Sequence, residues 1–225
     1  MLERLKRIIV VVGHYGSGKT NLAVNLAIDY RNAGKEVVLA DLDIVNPYFR
    51  SADFAELLKQ QGIELVAPVY AGTNLDIPAV TARLDSLLDT DKQVIIDVGG
   101  DDAGAAALGR YSALIAQAGG CEMLYVLNGY RYLTRTAEQA EQILLEIQQA
   151  SRLSVSGVVN NSNLAKATTV QDILNTIPFA QQTAEHIGVP LLFTAVSRPL
   201  VSETARCLPE DTIYPVDIYI KKPWE

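Results

Sequence analysis

Short, almost unbroken β-branched runs alternate along the chain with longer stretches in which apolar residues recur every three or four positions. Arg7–Gly13 (RIIVVVG) contains no polar alternation, so it reads as a strand covered on both faces. Gly18–Asn32 places Leu22, Ala23, Leu26, Ala27 and Tyr30 on one helical face and is ended by Gly34. Glu36–Ala40, Ile63–Val66, Gln93–Gly100, Glu122–Asn128, Ser154–Asn161 and Pro190–Thr194 repeat the buried-strand signature. Between them, helices are predicted over Ser51–Gln61, with Ser51 as cap, and over Ala79–Leu88, Ala103–Ala118, Arg135–Ser151, Asp172–His186 and Leu200–Arg206. The most regular is Arg135–Ser151, with Ala137, Ala140, Ile143, Leu144 and Ile147 facing inward. The tail Ile213–Trp224 alternates but contains Pro215 and Pro223, so it reads as an edge strand or a wrapping extension.

Strand–helix alternation with continuous apolar strands predicts an α/β fold of three layers, a mainly parallel β-sheet covered by helices on both faces. No internal repeat, low-complexity tract or linker divides the chain. The expectation is one nucleotide-binding domain over residues 1–225, with 208–225 as a C-terminal extension. The length of 225 residues suits a single core of that size. In such sheets ligands sit beyond the carboxyl ends of the strands, so the residues after each strand carry the chemistry.

The first strand runs into Gly13–Thr20, GHYGSGKT, a full match to the phosphate loop GxxxxGK[ST]. Gly13, Gly16 and Gly18, with His14, Tyr15 and Ser17 between them, let backbone N–H groups wrap phosphate oxygens. Lys19 supplies a cation to the β- and γ-phosphates, the Thr20 hydroxyl suits Mg²⁺, and the following helix offers its positive end. The plainer alternative, a chance glycine turn, does not explain why the motif lies between a strand and a helix. The second strand ends in Asp41-Leu42-Asp43, two carboxylates on one side of an extended segment, able to hold a metal-bound water and to orient an attacking one. Turn formation is the alternative there. The fourth strand ends in Asp97-Val98-Gly99-Gly100, a hydrophobic strand closed by a metal-facing carboxylate. Asp101 and Asp102 read as solvated helix-start acids. After the sixth strand, Asn160–Asn163 (NNSN) offers an amide to a purine edge, or makes a plain turn. GTPases commonly read guanine with the Asp of an NKxD pattern. Asn163 stands at that Asp position without a carboxylate, which favours adenine.

These four stations together resemble the deviant-Walker ATPases of the CobQ/CobB/MinD/ParA group, within the SIMIBI class of P-loop NTPases. The resemblance spans essentially the whole chain and is most specific over Gly13–Thr20, Asp41–Asn46 and Asp97–Gly100. It implies ATP or ADP with Mg²⁺, hydrolysis, and a nucleotide-dependent homodimer. By the same resemblance Lys19 contacts phosphate, Thr20 ligates Mg²⁺, Asp41 and Asp97 support the metal, Asp43 positions the hydrolytic water and Asn160 contacts adenine. The group's loop usually carries a signature lysine where this chain has His14, and a glycine where it has Tyr15.

Composition narrows the partners. A net charge of −7 and a pI near 4.9 argue against a general nucleic-acid binder. The chain has 49% hydrophobic and 20% charged residues, which excludes a disordered polymer. Cys121 and Cys207 stand far apart, as in a reducing compartment, and no apolar run approaches the roughly 20 residues of a spanning helix. Met1–Arg7 lacks the features of a leader, so a cytoplasmic protein without membrane insertion is expected. Two functions compete: an ATP-driven switch for an unidentified protein partner, and an ATP-dependent ligase or amidase of the dethiobiotin synthetase or cobyrinate synthase kind. The enzyme would need a substrate pocket beside the γ-phosphate, with Arg50, Asn74, Asp76, Arg131 and Arg135 as candidate groups. The loop Asn128–Arg135, rich in Tyr and Arg, suits a partner surface that Tyr48–Arg50 could extend. His186 reads as structural, and Cys121 as a small inert hydrophobe.

Overall fold

Eight short strands hydrogen-bond side by side into one sheet in which every neighbouring pair is parallel. This computed structural model describes residues 2–43, 54–67, 83, 86, 88–100 and 102–219. Ser51, Tyr48–Arg50, Asn74, Asp76, Asp101, most of the helix expected over Ala79–Leu88, and the end of the tail lie outside the described residues. The strands are β1 (Ile8–Val12), β2 (Val37–Leu42), β3 (Glu64–Val66), β4 (Gln93–Val98), β5 (Glu122–Leu127), β6 (Gly157–Asn160), β7 (Leu191–Ser197) and β8 (Ile213–Val216). Their order across the sheet is β3-β2-β4-β1-β5-β6-β7-β8. β1 therefore has β4 on one side and β5 on the other, and the chain changes its direction of travel across the sheet there. That switch point opens a crevice at the carboxyl end of β1.

Among the described residues the α-helices with defined bounds are α1 (Lys19–Asn32), α2 (Ala55–Gln60), α3 (Asp102–Gly109), α4 (Ser112–Gln117), α5 (Ala137–Ser151), α6 (Val170–Ile187) and α7 (Val201–Thr204). They cover both faces, which is why the central strands read as unbroken apolar runs. Ile8, Val10 and Val12 join one core with Ile96, Tyr125, Leu108 and Leu144. Ile9 and Val11 join the other, with Leu22, Leu26, Ile95, Val126 and Phe193. Successive β1 side chains thus alternate between two dry layers. Losing one such side chain, as in Phe193→Ala, removes buried area and leaves a cavity, typically at a cost of about 3–5 kcal/mol. Denaturant unfolding of that variant should show a loss of this size.

Several boundaries differ from the sequence expectation for reasons of packing. The helix expected over Ala103–Ala118 is two helices, α3 and α4. They part at Gly109, where a Cβ would stand 2.4 Å from the Ala150 carbonyl oxygen of α5. α6 begins before Asp172 because Thr169 caps it, with Asp172 returning the bond to the Thr169 backbone. β7 continues to Ser197 because Ala195–Ser197 pair with Tyr214–Val216 of β8. β8 lies at the sheet edge, where Pro215 costs no ladder bond. Beyond it the chain is tied to the first turns of α1: Asn21 and Asn25 each donate to the Asp217 carbonyl at 2.9 Å, and Tyr219 N donates to Asn21 Oδ1 at 2.9 Å. Among the described residues no helix is long and apolar enough to cross a membrane.

Candidate functional site

β1 leaves the sheet through Gly13, at φ +148° and so close to β5 that a Cβ would lie 2.4 Å from the Val126 carbonyl oxygen. Gly16 and Gly18 follow in the left-handed region, at φ +76° and +87°. Side chains at these positions would be strained, and with glycine the backbone curls so that its N–H groups face a common centre. Gly18 gives α1 no side-chain cap, so the first-turn N–H groups of that helix remain available to an anion. The loop is closed by Ser17 N donating to the His14 carbonyl at 3.2 Å.

The expected phosphate and metal groups gather around this loop. Lys19 is buried, and its Nζ donates to the same His14 carbonyl at 3.3 Å. Thr20 is buried in the first turn of α1. Asp41 of β2 and Asp97 of β4 are paired in register on adjacent strands, and each is 1% exposed. Asp41 Oδ1 accepts from Asp43 N at 2.8 Å, which holds Asp43 just beyond the strand. The end of β4 reaches the loop: a Cβ on Gly100 would lie 2.7 Å from Tyr15 N and 3.0 Å from Lys19 Nζ. His14 is half-buried, and Tyr15 is exposed. Burial, and then the charge of Lys19, hold the His14 imidazole below its ordinary pKa of 6.5. It is therefore neutral at pH 7.

The donor set fits a nucleotide with a small hard cation. The buried Ser17 Oγ has no hydrogen-bond partner among the described residues, in a loop otherwise built to present donors. Among the described residues no three His, Cys, Asp or Glu side chains converge as a metal site made by protein alone. Mg²⁺ suits such a place, because it takes one or two carboxylates and completes its shell with phosphate oxygens and water.

Asn160, the residue expected at the adenine, is engaged inside the protein. It is fully buried; its Nδ2 donates to Thr176 Oγ1 at 3.2 Å and its Oδ1 accepts from Ser162 N at 3.2 Å. The amide braces the loop from inside. Its neighbour Asn161, which the sequence reading passed over, donates to the Ser17 carbonyl at 2.7 Å and so fastens the end of β6 to the phosphate loop. Asn163 spends its amide on Asn161 O and Ala165 N. Arg131, a candidate substrate or partner group, donates from Nε to the Gly16 carbonyl at 2.9 Å. The signal for Asn161 was present as two consecutive asparagines at a strand end; nothing local marked the reach of Arg131. Asn161→Ala should leave the Ser17 carbonyl without its donor and destabilise the fold by about 1–3 kcal/mol, measurable by urea unfolding.

Other candidates resolve more simply. A cleft of about 620 Å³ runs from His14 and Gly100 past Leu133 along the Glu138, Gln142, Ile143 and Glu146 face of α5. His186 pairs with Glu141 at 2.9 Å on the α5–α6 surface, which agrees with a structural role. Cys121 is pushed up to about 11 by burial, as expected of an unreactive thiol.

Comparison with known proteins places this arrangement. Residues 8–189 match the CobQ/CobB/MinD/ParA nucleotide binding domain. The signal recognition particle 54 kDa protein of Sulfolobus acidocaldarius is 32% identical over 119 residues, 52% of this chain and 25% of that protein. Its counterpart from Saccharolobus islandicus is 33% identical over 116 residues, 51% of this chain and 24% of that protein. The chain thus spans about a quarter of the length of these relatives. Among solved structures, the Aeropyrum pernix signal recognition particle 54 kDa protein in complex with GDP superposes with a TM-score of 0.54 at 21% identity, over 83% of this chain and 40% of that one. FtsY from Mycoplasma mycoides gives 0.55 at 18% identity, over 87% and 62%. These structures share the fold. With the strand–loop–helix geometry of Gly13–Thr20 and the paired Asp41 and Asp97, the match over residues 8–189 shows that this chain belongs to the CobQ/CobB/MinD/ParA family of P-loop nucleotide-binding domains.

Proposed function

We propose that the chain binds ATP with Mg²⁺, hydrolyses it slowly, and acts as a nucleotide-dependent switch for a protein partner. The observation that carries this reading is the placement of the Gly13–Thr20 loop, with buried Lys19, against the β4 end that carries Asp97. When bound, Mg²⁺ would neutralise charge developing on the phosphates. Thr20, Asp41 and Asp97 are the residues to hold it, Lys19 to bind phosphate oxygens, and Asp43 to orient the attacking water. Adenine is favoured over guanine because the Asn160–Ala165 segment offers no carboxylate to the guanine donors. Competition calorimetry should show ATP binding at concentrations where GTP does not displace it. Equal displacement by GTP would remove the adenine preference.

The switch reading is supported by the surface around the loop. Tyr15, Tyr132 and Leu133 are exposed beside it, and the Arg135 guanidinium lies 5.4 Å from the Tyr132 ring. Tyr and Arg grouped in this way suit a protein interface. The carboxylate-activating alternative is less well served. The cleft beside His14 and Gly100 is lined by Glu138 and Glu146, with no lysine or arginine among its described lining residues. Of its other candidate groups, Arg50, Asn74 and Asp76 lie outside the described residues.

The neutral His14 predicts low activity in isolation. A fixed cation near the transferring phosphate is usually a large catalytic contribution, and a neutral imidazole does not provide one. ATP alone should therefore dimerise the protein weakly, and His14→Lys should strengthen that dimer in sedimentation with a non-hydrolysable ATP analogue. A stable, rapidly turning over wild-type dimer would contradict this role for His14. The same group sets a pH dependence. Its folded pKa lies below its unfolded value of about 6.5, so the unfolded chain takes up the proton first as pH falls. Stability due to His14 is present above about pH 6.5 and declines below it. His14→Gln should lose less stability than wild type between about pH 7.5 and 5.5 in paired urea titrations.

A further inference from the structure

We propose that Arg131 contacts the nucleoside part of the bound nucleotide, its guanidinium lying against the sugar and base at the outer rim of the phosphate loop. This rests on the nucleotide-binding reading of Gly13–Thr20 and adds a residue to it. The topology gives the bound nucleotide a direction. β1 lies between β4 and β5, and Asp41 and Asp97, the carboxylates proposed to hold the cation, are on β2 and β4. The terminal phosphate and its cation therefore belong on the β4 side. The nucleoside leaves the loop on the opposite side, towards β5 and β6.

Arg131 stands on that opposite side, in the loop between β5 and α5. Its backbone is fixed: Arg131 N donates to the Asn128 carbonyl at 3.0 Å, and Thr134 Oγ1 donates to the same carbonyl at 2.9 Å. Asn128 is itself buried, and Gly129 N donates to Ser162 Oγ at 2.9 Å, which joins this loop to the one after β6. The side chain then crosses to the phosphate loop, where Nε donates to the Gly16 carbonyl. A Cβ on Gly16 would lie 3.1 Å from the guanidinium carbon, so the cation packs directly over that glycine.

The carbonyl held by Arg131 belongs to the outer wall of a loop whose N–H groups serve the phosphates. The guanidinium is thus outside the phosphate cradle but at its rim. Nε is committed to Gly16, while among the described residues neither terminal nitrogen has a hydrogen-bond partner. The side chain is exposed, so these donors and the flat face of the group remain open to a ligand. A planar cation held this way can donate to sugar oxygens and stack on a base.

The test compares wild type with Arg131→Ala by calorimetry, using Mg-ATP and inorganic tripolyphosphate, which lacks the nucleoside. Arg131→Ala should weaken Mg-ATP about tenfold, as expected for a lost charge-assisted contact, while tripolyphosphate affinity stays within about twofold. Equal weakening of both ligands would show that Arg131 only shapes the phosphate loop, and would overturn the proposal. Unchanged ATP affinity would overturn it as well, with the nucleotide-binding reading intact. Failure of the wild type to bind either ligand would overturn that reading, and the role of Arg131 with it.

Discussion

Lys19→Ala should lower the affinity for Mg-ATP by about 100-fold, the scale of losing a hydrogen-bonded charge inside an enclosed anion site. Lys19 is 7% exposed, so its ammonium is held where water competes poorly for a phosphate oxygen. Its Nζ already reaches back over the loop to the His14 carbonyl, in the region the phosphates would occupy. In the variant, water would replace a fixed cation with a mobile dipole. The hydrophobic contacts of α1 are made by Leu22, Leu26 and their neighbours, so the fold should survive the change. Calorimetry on the folded variant checks the result. Unchanged affinity would mean that Gly13–Thr20 is a turn without a phosphate role.

Asp43→Asn should leave nucleotide affinity nearly intact and slow phosphate release by roughly 10²–10⁴-fold, the contribution of a positioned acceptor to activating a water nucleophile. The backbone of Asp43 is held by Asp41 Oδ1, which fixes where its side chain begins. Asparagine keeps the size and the turn but loses the anionic acceptor. Single-turnover hydrolysis with pre-bound ATP separates this from a binding effect. Wild-type turnover in the variant would move the role to Asp41 or Asp97.

What was legible in the sequence follows from which forces are local. The central strands were visible because each is buried on both faces, as Ile8–Val12 shows by alternating between the two cores. The phosphate loop was visible because its glycines and Lys19 are required by backbone geometry and charge within one short segment. The break at Gly109 was not visible, since it depends on the approach of α5 at Ala150. The choice between Asn160 and Asn161 turned on a single position. Successive strand residues face opposite ways, and the β6–β7 register shifts between Val158 and Val159. Val158 joins one core and Val159 the other, so Asn160 turns inward against Thr176 of α6 while Asn161 turns the opposite way and reaches Ser17. The Arg131–Gly16 bond joins residues 115 positions apart, beyond any motif.

Titration of the wild-type protein with ATP in the presence and absence of Mg²⁺ tests nucleotide binding directly. One saturable site per chain is expected, tightened by Mg²⁺ and weakened about 100-fold in Lys19→Ala. The absence of saturable binding of ATP, ADP or GTP under both conditions would contradict it.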